Sequence, residues 1–217
     1  MSESVQVPDT SDMAAVHKVF RLWLASGPEL VGGAAGDDTR RALIANYFDN
    51  VVAFLTAHHE GEDELVYPLL LERAPEHRAV IELGRSQHED VVPLNDAVMA
   101  SVDAWQANGD SGAPELVRCL QALDGVLSPH LDYEEAEVVP LATKYLTVEE
   151  WGALPGHTLA SFKGDKVWLI MGLVRENFTQ EQRDTMLEHL PPPARQMWET
   201  IGEASFDDMI AQVRQTT

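Results

Sequence analysis

Two short segments of this sequence repeat residue types that bind metals. His58-x-x-x-Glu62 returns as His130-x-x-x-Glu134, and some forty residues before each pair stands a lone histidine, His17 and His88. The repeat is wider than the motif. Between His58–Leu69 and His130–Leu141, Val66, Pro68 and Leu69 answer to Val138, Pro140 and Leu141, and Asp63 answers to Glu135. The chain therefore reads as a duplicated helical hairpin. Residues four apart share a helix face, so each His/Glu pair can project together. Their helical neighbours are apolar: Val51, Phe54, Leu55 and Leu65 around the first pair, Leu123, Val126 and Leu127 near the second. Met13, Phe20 and Leu24 flank His17, and Ile81 with Val91 or Val92 lies near His88. All six residues are expected to face inward. A carboxylate on an apolar face is costly unless paired or bound to a metal. Four imidazoles and two carboxylates suit iron, manganese or zinc rather than calcium or a thiophilic ion. The set points to two ions with Glu62 and Glu134 between them and two histidines on each.

Holding these groups requires four helices. Thr10 or Ser11 can cap the first, with Met13, Val16, Phe20 and Leu24 at helical spacing and a stop at Gly27-Pro28. Residues 29–38, rich in Gly and Ala, read as a loop. The second helix is expected over 38–71, with Leu43, Tyr47, Val51, Phe54, Leu55 and Leu65 on one side and Pro68 near its end. The third is expected over 76–107, burying Ile81, Val92 and Val98 and kinked by Pro93. Residues 108–112, Asn-Gly-Asp-Ser-Gly, break the chain. Pro114 opens a fourth helix to about Tyr145, interrupted by Pro129 and Pro140. The fold class is all-α, an up-down four-helix bundle over residues 11–146.

Residues 147–217 read as an appended helical part. Thr147-x-x-Glu150 and Thr179-x-x-Gln182 fit capping boxes, and Pro191-Pro192-Pro193 precedes a last helix with Met197, Trp198, Ile201 and Met209. Trp151, Trp168 and Trp198 fall here. They indicate packing against the bundle or a partner, the alternative being a roof over the site.

Composition narrows the partners. The 217 residues carry 36 acidic and 15 basic side chains, a net charge of −21, and 45% are apolar. That is enough apolar material for a core. Nucleic acid and anionic membrane are polyanions and are excluded as partners on charge, whereas cations are attracted. The single Cys119 allows no internal disulfide and no thiolate cage, and reads as a small core residue. No signal peptide is expected in the polar N-terminal stretch, and no apolar run approaches the roughly 20 residues of a membrane span. A cytoplasmic location is expected. The oligomeric state is not legible.

With His17, His58-x-x-x-Glu62, His88 and His130-x-x-x-Glu134 in place, residues 11–146 resemble the hemerythrin-like, or HHE cation-binding, domain. The resemblance implies a bundle holding two non-haem iron ions with an oxo or hydroxo bridge, manganese or zinc being less expected. It also implies dioxygen, peroxide or nitric oxide as the small ligand. The sequence departs from the oxygen-carrying hemerythrins, which place a second histidine four residues from the first on the third helix. Here those positions are Gly84 and Val92, and the fourth helix has His130-x-x-x-Glu134 in place of His-x-x-x-x-Asp. Four histidines rather than five would leave exchangeable positions, which favours redox turnover of a small oxidant over reversible binding or sensing. Tyr47, Tyr67 or Tyr133 could fill a vacancy. Asp63 and Glu89 could hydrogen-bond ligand imidazoles from behind. His59, about 100° around the helix from His58, is expected at the surface or behind the ligands. His77, His157 and His189 match no motif and are expected to be surface or structural.

Overall fold

A computed structural model describes residues 7–215. Residues 1–6, part of the stretch read as lacking a signal peptide, lie outside the described residues. Four long helices form the frame: α1 (Asp12–Gly32), α2 (Asp38–Leu65), α4 (Arg78–Asn108) and α5 (Ala113–Tyr133). Each packs on its neighbours in the cyclic order α1, α2, α4, α5, the arrangement of an up-down bundle. Short helices α3 (Tyr67–Arg73) and α6 (Val139–Tyr145) continue α2 and α5 beyond a break. No helix among the described residues is long and apolar enough to cross a membrane.

Several helix ends differ from expectation. α1 passes Gly27-Pro28 and runs to Gly32, with Pro28 inside it. The apolar stripe continues through Val31, 2% exposed, so tertiary packing outweighs the missing proline N–H. Gly27 lets α1 and α5 close, because a Cβ there would meet Leu120 at 2.9 Å. The expected loop of 29–38 shrinks to a turn before Asp37, whose side chain accepts from the Arg40 N–H and caps α2. α2 stops at Leu65, before Pro68 rather than after it, and α3 restarts the helix with Pro68 in its first turn. α4 starts at Arg78, preceded by a single tight turn over Pro75–His77. It runs past Pro93 without interruption. Val92 is 58% exposed, and Val91 takes the core position instead. The core direction of α4 runs through Ile81, Gly84, His88, Val91, Asn95 and Val98, and Val92 falls outside it. The fourth segment is divided in three: α5, a π-helical turn over Glu134–Val138, and α6.

Both capping boxes form, at Thr147 with Glu150 and at Thr179 with Gln182. They open α7 (Val148–Gly152) and α10 (Gln180–His189), between which lie α8 (Leu154–Ala160) and α9 (Asp165–Asn177). α8 lies on α2, and α9 packs on α1 and α2. The last segment comprises α11 (Pro192–Met197), a π-helical turn over Trp198–Gly202, and α12 (Glu203–Arg214), which packs on α9. Trp151, Trp168 and Trp198 are buried, whereas Met197 and Ile201 are more than half exposed.

The bundle interior has three tiers. One apolar cluster gathers Phe20, Trp23, Phe48, Leu55, Val91, Trp105, Leu120 and Leu127 among others. A second gathers Met13, Val66, Tyr67, Leu70, Ile81, Val138 and Leu141. On every long helix the polar candidates fall between residues of the first cluster and residues of the second. A polar tier is thereby sealed between two apolar ones.

Candidate metal centre

The six residues singled out by spacing converge in that tier. His17, His58, Glu62, His88, His130 and Glu134 are each no more than 6% exposed. A seventh joins them. His59, expected outside, is 6% exposed and stacks on His88 with ring centroids 4.1 Å apart and planes 9° apart. Five imidazoles face the cage rather than four. The inner face of α2 is wide enough for both histidines, because the helix packs between two neighbours. His58 turns toward His17 of α1, and His59, about 100° further round, turns toward His88 of α4 and His130 of α5, while Thr56 and Glu60 keep the solvent side.

Two groups of donor atoms result, each lying within 4.8 Å of one another: His59, His88 and His130 in one, His17, His58, Glu62 and Glu134 in the other. The carboxylates stand between them. Glu62 Oε1 is 3.3 Å from His58 Nε2 and its Oε2 is 3.7 Å from His88 Nε2. Glu134 Oε2 is 3.3 Å from His17 Nε2 and 3.8 Å from His130 Nε2. Glu134 opens the π-helical turn, a distortion frequent at functional sites.

The inward atoms have no protein partner. Nε2 of all five histidines, both oxygens of Glu62 and Oε2 of Glu134 are buried without a hydrogen bond. Each such atom costs about 1–3 kcal/mol if left unsatisfied. Two of the outward nitrogens, by contrast, are hydrogen-bonded. His17 Nδ1 donates to Glu135 Oε1 at 2.8 Å, and His130 Nδ1 to Gln87 Oε1 at 3.1 Å. Asp63 Oδ1 lies 3.2 Å from His88 Nδ1, close enough for a charge contact but without hydrogen-bond geometry. Arginines back both carboxylates: Arg21 donates to Glu135 at 3.1 Å, and Arg85 Nε lies 3.6 Å from Asp63. Such outer contacts fix the tautomer and orientation of a metal-binding imidazole. Asp63, expected to hydrogen-bond an imidazole, comes to His88 but makes no hydrogen bond to it, and Glu89 is exposed and turned away. Glu135 and Gln87 were not singled out. The equivalence of Glu135 with Asp63 in the repeat was the available signal.

The electrostatics follow from burial. His58 and His59 are held well below the ordinary imidazole range by desolvation and by the neighbouring imidazoles. Burial brings His130 down to about 4. Burial also opposes charge on His17, but Glu134 and Glu135 outweigh it and its pKa rises. Glu62 is pushed well up by burial and by Glu134 and Asp63. Glu134 is drawn down despite its burial, by His17 3.3 Å away and by the other surrounding imidazoles.

Of the tyrosines, only Tyr67 reaches the cage, its hydroxyl donating to Glu134 Oε1 at 3.1 Å. Tyr133 donates instead to the Val80 carbonyl, and Tyr47 lies toward Arg214 and Glu176. His77, His157 and His189 stay outside, with His157 on Glu64 and His189 on the Thr185 carbonyl. Cys119 is buried.

A four-helix bundle with a buried His/Glu cage is the architecture of a cation-binding helical protein. The chain belongs to the hemerythrin family, since the model of the hemerythrin HHE cation-binding domain matches residues 10–142. Neither the curated proteins nor the solved structures supply a match.

Proposed function

We propose that the chain holds two non-haem iron ions and reacts through them with dioxygen, peroxide or a similar small oxidant. The observation that carries this reading is the set of inward nitrogen and oxygen atoms, buried and without protein partners. Such a set of imidazole and carboxylate atoms suits first-row metal ions. His59, His88 and His130 would hold one ion and His17 and His58 the other, with Glu62 and Glu134 reaching both. When bound, a ferrous pair supplies two electrons and Lewis acidity to a small ligand. The protein's part is positional. Glu135, Gln87 and Asp63 set the imidazole rings, and the two apolar tiers keep bulk water away.

The fifth imidazole favours a second reading, reversible binding or sensing of dioxygen or nitric oxide, because His59 restores the histidine number of the oxygen carriers. One experiment addresses both. The protein is loaded anaerobically with Fe(II), assayed for metal, and exposed to stoichiometric dioxygen under optical observation. Two irons per chain and rapid passage to a stable diferric form, with peroxide consumed in later cycles, is the expected result. A spectrum that reverses on purging would move the assignment to the binding class. Absence of stoichiometric metal, with wild type and a His58→Ala/Glu62→Ala variant alike, would defeat both.

A further inference from the structure

The duplicated segments diverge at a position that touches the cage. Tyr67 in the first half answers to Val139 in the second, and Gly84, four residues before His88, answers to Met13, four before His17. The divergent pair meet each other. A Cβ at Gly84 would lie 2.9 Å from the Tyr67 hydroxyl, so the absence of a side chain there is what admits the phenol. Of the two positions four residues from His88, Val92 is 58% exposed and Gly84 is buried toward the cage, so an inward third-helix histidine would have projected from Gly84. Tyr67 is fully buried, stands edge-on to His88 with centroids 5.4 Å apart, and donates to Glu134 Oε1.

This bond makes the two cage carboxylates unequal. Both oxygens of Glu62 are free of protein partners, whereas Glu134 keeps only Oε2 free. We infer that Tyr67 is a positioning residue that occupies the space of the missing histidine and confines Glu134 to metal ligation through a single oxygen. The inference rests on the metal reading above and concerns the shape of that site. Gly84 is part of the device, because any side chain there displaces the hydroxyl.

Two variants test it, Tyr67→Phe and Gly84→Ala. The first removes the donor, and the second keeps the tyrosine but pushes its hydroxyl off Glu134. Anaerobic titration with Fe(II) against a competing chelator is expected to show the more weakly held ion losing about tenfold in affinity in both variants, the effect typical of removing an outer contact. Infrared spectra of protein carrying 13C-labelled glutamate provide a readout that general loosening would not move. The splitting of the ligating carboxylate stretches should narrow in both variants as Glu134 gains its second oxygen. Wild-type affinities and splitting in the variants, with wild type binding two ions, would overturn the role of Tyr67 alone. An intense visible band in the ferric protein that Tyr67→Phe abolishes would overturn it too, by making the phenol itself a ligand. A wild-type protein that takes up no metal would defeat the underlying reading, and this one with it.

Discussion

His59 separates the two donor groups most directly, since its counterpart in the second half is Leu131. Copying that residue as His59→Leu should drop the metal content from two ions toward one per chain, measured by elemental analysis, with helicity unchanged by circular dichroism. Retention of two tightly held ions would remove His59 from the ligand set. Proton release gives a second expectation. His17 and Glu62 both have raised pKa values and so keep a proton to higher pH than the free groups do, whereas His58, His59 and His130 are lowered and stay neutral. Metal uptake in weakly buffered solution should therefore acidify it, and apparent affinity should rise with pH through the neutral range. A calorimetric count of no protons released would contradict this. The six spaced residues were legible because i,i+4 pairs and a repeat are patterns within one helix. His59 was not, because its burial comes from α4 and α5, whose His88 and His130 it packs against, and the spacing within α2 does not record how wide an arc its two neighbours cover. Tyr67 was nameable only as one of three tyrosines. The glycine that admits it, Gly84, lies on another helix.

At the level of elements, the existence and order of the four long helices could be read from hydrophobic spacing, while their ends could not. Pro28 does not end α1, because Val31 still finds core beyond it, and the π-helical turn at Glu134 has no composition of its own. The outer carboxylates link elements. Asp63 of α2 braces His88 of α4, and Glu135 braces His17 of α1. Glu135→Gln or Asp63→Asn should weaken metal binding about 10–100-fold while the bundle stays folded, read by chelator competition alongside circular dichroism. Unchanged affinity would show that the rings are set by packing alone. The C-terminal helices depend on closer fitting. A Cβ at Gly172 of α9 would fall 2.1 Å from the Phe206 ring of α12. Gly172→Ala should therefore destabilise the chain by about 1–3 kcal/mol through overpacking, measured by denaturant unfolding. An unaltered midpoint would mean that α12 shifts freely.

For the whole molecule, a polar tier between two apolar ones has an energetic sign. Without metal the inward atoms are unsatisfied, so ions that bind the folded state alone must stabilise it. At a free metal concentration about a hundred times the dissociation constant, the gain is about 2.7 kcal/mol per site, which should raise the thermal midpoint by about 5–10 °C. An equal midpoint with and without Fe(II) under anaerobic conditions would count against a site inside the bundle. The cross-bracing has a consequence of a different kind. Each half lends the other the carboxylate behind its lone histidine, so neither hairpin closes a cage alone. Two separate copies of one hairpin could close it only as a twofold-symmetric dimer, and in such a dimer every substitution appears twice. Joining the copies in one chain lifts that constraint. His59 opposite Leu131, and Tyr67 opposite Val139, are changes that only a fused pair can make on one side of its axis.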